Sequence, residues 1–160
     1  MRKYAVISLL CGLLTFSIWA QTPAKNATSS SAPAVKIVSA ADLSAVVAKQ
    51  PTDRNNVVPF IELAPYAVNM EHRIQGQGAA VHEKDAEMFY VIDGTGTLVT
   101  GGKLVGEKRT NESNLSGTSI EGGVSKKVSK GDWIMVPEGV PHQFPAAEGL
   151  TLMSIHLPRK

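Results

Sequence analysis

The sequence predicts an all-β domain, a sandwich or barrel built from many short strands. Three observations carry this. The stretch Ala67 to Ile74 alternates with a period of two, placing Val68, Met70, His72 and Ile74 on one face and Asn69, Glu71 and Arg73 on the other. Glycine-rich turn signals such as Gln75-Gly76-Gln77-Gly78 and Asp93-Gly94 recur between apolar runs. Two strands, Glu87 to Ile92 and Asp132 to Val136, are largely apolar on both faces. A one-sided sheet would show polar residues on one of those faces, so the N-terminal helix or a second subunit should cover the outer one. A homodimer is the expectation.

The elements follow in chain order. The start, MRKY, is basic, and an apolar run extends from Ala5 to Trp19. That run is short for a membrane span and has the form of a secretory signal, with a cut expected after Ala20. An uncleaved N-terminal anchor is the alternative. Residues 21–34, QTPAKNATSSSAPA, are small, polar and low in complexity and read as a flexible linker. One domain is expected over 35–160. Ser39 and Asp42 form a capping box for a short helix, Ala40 to Lys49, stopped by Pro51. Strands are then expected at 67–74, 79–83, 87–92, 95–100, 125–128, 132–136 and 150–157. The segment Gly101 to Gly123 is long, polar and rich in Gly, Ser and Asn. It reads as a functional or disordered connection, a lid in the catalytic reading below.

Charge and cysteine content exclude several functions. Lys and Arg number 16 and Asp and Glu 14, a formal net charge of +2. Arg2 and Lys3 lie in the signal, so the exported part would be neutral. No basic stripe with interleaved aromatics suggests nucleic acid, and no membrane contact is expected once the signal is cut. The single cysteine, Cys11, lies inside the apolar run, and Leu10 before it argues against lipidation. The exported part would have no disulfide and no thiol nucleophile, and its location would be periplasmic or extracellular. No P-loop, dinucleotide fingerprint or Ser/His/Asp constellation appears.

The stretch that points to chemistry is 131–144, GDWIMVPEGVPHQF. A strand ends at Pro137, Gly139 and Pro141 turn the chain, and His142 opens the next strand. A histidine fixed at a rigid turn loses little entropy on binding a metal. The spacing, Gly131-x5-Pro137-x-Gly139-x2-His142, resembles the second signature motif of the cupin superfamily, although Ala146 stands where that motif ends in Asn. The family's first motif resembles AVHEKDAEMFYVIDG, which supplies His82, Glu87 and Gly94 at matching intervals. Here Ala80 replaces the first histidine of the motif and Ile74 its opening glycine. The resemblance spans roughly residues 60 to 157.

It implies a cupin-type jelly-roll β-barrel preceded by a short helix. It also implies one divalent metal on His82, Glu87 and His142. Two imidazoles and a carboxylate suit iron, manganese, zinc or nickel and leave open positions for a substrate. His72 shares a face with Val68, Met70 and Ile74 and should point inward. It would either supply the missing ligand or sit in the core against a backbone carbonyl. Taken singly, His82 reads as a surface strand residue, Glu87 as a strand-edge acid and His142 as a turn residue. Their joint spacing is what favours a shared pocket. His156 shares a face with Leu152 and Ser154 and reads as structural or peripheral.

Two functions are open at this stage. One is an exported metal-dependent enzyme of oxygenase, isomerase or lyase type acting on a small molecule, with Phe89 and Phe144 lining an apolar pocket. No catalytic residue beyond the metal ligands can be named. The other is a non-catalytic, metal-free module that binds a small molecule in the same barrel.

Overall fold

A computed structural model describes residues 35–159; the expected signal segment and linker lie outside them. One helix, α1 (Ala40–Ala48), precedes eleven strands: β1 (Asn56–Leu63), β2 (Tyr66–Arg73), β3 (Ala79–His82), β4 (Asp85–Thr100), β5 (Lys103–Val105), β6 (Lys108–Arg109), β7 (Asn114–Gly117), β8 (Ser119–Glu121), β9 (Val124–Ser129), β10 (Trp133–Val136) and β11 (His142–Pro158). The architecture is an all-β, cupin-type jelly roll. Every strand pairing is antiparallel.

The capping box forms as expected. Ser39 Oγ accepts from the Asp42 backbone N–H at 3.1 Å, and an Asp42 carboxylate oxygen accepts from the Ser39 N–H at 3.1 Å. Two orphan donors of the first turn are thereby satisfied.

The two longest strands organise the sheet. β4 pairs with β9, β10 and β11, and β11 also pairs with β2 and β3. Asp93-Gly94 is not a turn: β4 runs straight through it. Gly94 has φ +77°, the β4–β11 register shifts nearby, and a Cβ there would lie 2.3 Å from the Gly149 carbonyl oxygen. The pair marks an irregularity that bends a long strand, which a short-range turn signal cannot be told from.

The segment 101–123 is also not a structureless lid. It holds four short strands. β7 extends the main sheet by pairing with β3 and β6, while β5 and β8 pair as a separate two-stranded sheet. Arg109 clasps the Glu83 carboxylate at 2.7 and 3.1 Å. Strands of two to four residues with polar side chains leave too little periodicity to be read from sequence.

Register assigns every side chain to a face, because directly opposed residues project to the same side. Glu71, Leu152 and Val91 are opposed across β2, β11 and β4 and face the barrel interior. Met70, Met153, Tyr90 and Trp133 are opposed across β2, β11, β4 and β10 and face outward. The interior core is Phe89, Val91, Leu98, Val128, Val136, Phe144, Ala147, Leu150 and Leu152. The outer face is apolar too, as expected. At one end α1 and its successor Gln50 lie over it, with Gln50 Nε2 3.6 Å from Met70 Sδ. Elsewhere it stays open among the described residues. Ile61, Val68, Met88, Tyr90, Trp133, Met153 and Ile155 line an apolar cavity of about 190 Å³, and Trp133 is 64% exposed.

Candidate metal centre

Three donors converge at one end of the interior. Glu87 opens the buried part of β4, His82 ends β3, and His142 begins β11. The turn before His142 is pinned to its neighbours: the Gly139 N–H donates to the His82 carbonyl at 2.8 Å, and the Gly101 N–H donates to the Pro141 carbonyl at 2.9 Å. Gly139 has φ +74°, which only glycine adopts without strain. Proline and glycine thus hold the imidazole against the strand that carries its partner.

His82 Nε2 lies 3.2 Å and His142 Nε2 3.0 Å from the same Glu87 oxygen, Oε2. One donor atom from each residue falls within 4.8 Å of the other two. Glu87 is 5% and His142 6% exposed. The second nitrogen of each ring is occupied. His142 Nδ1 is 3.2 Å from the Val140 carbonyl, and His82 Nδ1 is 3.0 Å from Asn114 Oδ1. A carbonyl only accepts, so the His142 Nδ1 carries the hydrogen. In the neutral ring Nε2 then presents a lone pair to a carboxylate. That arrangement is repulsive unless a positive species joins the two, and a proton or a metal ion can do so.

Electrostatics point the same way. Burial pushes the Glu87 carboxyl up, but His142 and His82 together outweigh it and hold the pKa at about 2. At His82 burial opposes the charged ring, yet Glu87 and Asn114 carry its pKa above the ordinary histidine value.

Two histidines exchange the roles the sequence suggests. His72 is not brought to the cluster. It lies on the outer side of β2, where its Nδ1 is 2.9 Å from Thr151 Oγ1. Alternation alone could not orient that strand, because the apolar set faces outward and the inward set includes the buried pair Glu71 and Arg73. His156, directly opposite Glu87 in register, is on the inner face. Its Nε2 is 3.4 Å from Glu87 Oε1, and its ring centroid is 4.5 Å from that of His82. Its alternation with Met153 and Ile155 says only that it shares a face with Leu152 and Ser154. Only the strand register places it beside Glu87.

The cluster opens on a small cavity of about 90 Å³ lined by Arg73, Gln77, Ala80, Gln143 and Phe144 besides the three donors. Ala80, opposite His142 in register, lies where the family motif has an imidazole and leaves that space empty. Phe144 lines the cavity. Phe89 is packed behind it, its ring centroid 5.5 Å from that of Phe144 and 6.2 Å from that of His142.

Fold and cluster together define a cupin-type barrel with a buried histidine–carboxylate centre. No protein-family model and no curated protein matches the chain. Solved structures do. BH2720 of Bacillus halodurans is 16% identical, the match covering 80% of this chain and 84% of that one, with a TM-score of 0.53. KdgF of a Halomonas species is 15% identical over 69% and 87% of the two chains, TM-score 0.48. The nucleoside dehydratase Pac13 is 11% identical over 65% and 69%, TM-score 0.47. At such identities the likeness is one of fold.

Proposed function

We propose that this chain holds one divalent metal ion on His82, Glu87 and His142 and presents it to a small molecule inside the barrel. The carrying observation is that two Nε2 atoms, each with its Nδ1 already engaged, face one buried carboxylate oxygen at 3.0 and 3.2 Å. The donor set fits iron(II), manganese, zinc or nickel. Asn114 and Val140 set the ring orientations, and His156 stands against the other Glu87 oxygen, partners that raise ligand basicity and fix geometry. When bound, the ion supplies Lewis-acid polarisation of a substrate oxygen, the chemistry an isomerase or oxygenase of this fold would use. Phe144 and the buried Phe89 behind it keep bulk water from one side.

Elemental analysis of the purified chain tests this. A stoichiometric metal that is lost in His142→Ala supports it. A metal-free protein with an organic ligand in the barrel would favour the non-catalytic binding module, which the Ala80 departure also suggests. Export belongs to the same proposal: the mature chain should start near Gln21 and be recovered outside the cytoplasm. So does a homodimer through the open apolar face, since a contiguous exposed patch holding Trp133 and Met135 is characteristic of an interface. Sedimentation of the mature chain as a monomer would refute it.

A further inference from the structure

Arg73 has no role in the centre described so far, yet it lines the same cavity. Its side chain is only 9% exposed. Nε and Nη2 both donate to Glu71 Oε2, and the guanidinium carbon stands 4.5 Å over the Phe144 ring centroid. The group is therefore fixed from two sides, by a carboxylate and by an aromatic face. Nη1 has no hydrogen-bond partner among the described residues and is not fully buried. Buried ion pairs contribute little net stability compared with apolar residues of the same volume. A pair kept beside a donor cluster, with one donor arm unspent, has the form of a ligand anchor.

We propose that Arg73 anchors a small monocarboxylate, whose remaining oxygen reaches the ion on His82, Glu87 and His142 through the space that Ala80 leaves open. The inference rests on the metal reading above. Guanidinium matches a carboxylate in shape and charge, and such charge-assisted hydrogen bonds are the strong ones. Charge balance sets the number of carboxylates. With the histidines neutral, as metal ligands are, Glu71 and Glu87 against Arg73 leave the cavity one unit negative. A divalent ion makes it one unit positive, and a single carboxylate then neutralises it. The small cavity admits only a few non-hydrogen atoms. Gln143 donates to the Gln77 carbonyl at 2.8 Å, which leaves its Oε1 to accept from a ligand hydroxyl. A 2-hydroxy acid satisfies all three groups.

The test uses the full mature chain, zinc and glycolate, with glycolamide as the neutral isostere. Zinc is titrated first by calorimetry, then glycolate into the loaded protein. The informative variant is Glu71→Gln/Arg73→Gln, which removes the pair without changing the net charge or leaving a lone buried carboxylate; thermal unfolding checks that it is folded. The expected result is unchanged zinc binding with glycolate weakened at least about tenfold, the worth of one charge-assisted hydrogen bond. Glycolamide should bind poorly to both. Equal glycolate affinity in the variant, or none in the zinc-loaded parent, overturns the anchor and leaves the metal reading intact. No zinc binding overturns the metal reading. Arg73 is then judged on the metal-free chain, where glycolate binding that depends on the pair supports the anchor and its absence overturns it.

Discussion

The inner and outer faces of β2, β4 and β11 carry opposite anomalies. Inside, where apolar groups belong, sit Glu71, Arg73, Glu87 and His142, all under 9% exposed. Outside, Trp133 and Met135 are 64% and 54% exposed. Burying a charged group is costly unless it is paired, and an exposed aromatic forfeits about 25 cal/mol for each Å² left in water. A stable fold tolerates each only where a partner is at hand. On the inner face the partners are internal, since each charged group contacts another. On the outer face no partner among the described residues covers the open part. The lesson is that the interior gathers paired polar groups around a small cavity, while the exterior leaves an apolar face open among the described residues.

Five results would break or sharpen this contrast. Phe89→Ala should have the largest effect, about 3–5 kcal/mol of unfolding free energy by chemical denaturation, because a 1% exposed ring anchors the core behind the site. A loss under about 1 kcal/mol would mean that the interior is not packed as described. His142→Ala should weaken metal binding by more than the roughly 100-fold that loss of an outer partner costs, measured by competition with a chelator. His156→Ala, at 3.4 Å from Glu87 Oε1, should fall within about 10- to 100-fold instead. Parity of the two variants would make His156 a full ligand.

Trp133→Glu tests the other face. Sedimentation should shift toward monomer, while the protomer's own stability changes by no more than about 0.5 kcal/mol, as for a surface position. A further result concerns pH in the metal-free chain. The Glu87 carboxyl has a folded value of about 2 against an ordinary 4.5. A depressed carboxyl contributes stability that is full above the unfolded value and is lost as pH falls through the folded one. Unfolding midpoints of the parent should therefore drop between pH 4.5 and 2, and Glu87→Gln should flatten that segment.

Much of the centre was legible in the chain. The turn residues around His142 are local, and their effect on backbone direction does not depend on the rest of the fold. The interval from His82 to Glu87 is short enough for two neighbouring strands to preserve. The helix cap is equally local. His72 and His156 show where legibility ends. Alternation says which residues share a face, but not which face is inside when both are apolar. Asp93-Gly94 fails for a related reason: a glycine at φ +77° serves a hairpin or a bent strand equally well, and only the opposing Gly149 decides.

By itself the sequence determined the all-β class and the capped helix, which follow from periodicity and turn chemistry within a few residues, while the three candidate donors came from its resemblance to the cupin motifs. The tertiary structure alone decided that Arg73 reaches the same cavity, that His156 stands beside Glu87, and that residues 101–123 fold into strands. Those outcomes depend on register between strands distant in sequence, and a shift of one residue would turn each side chain to the opposite face.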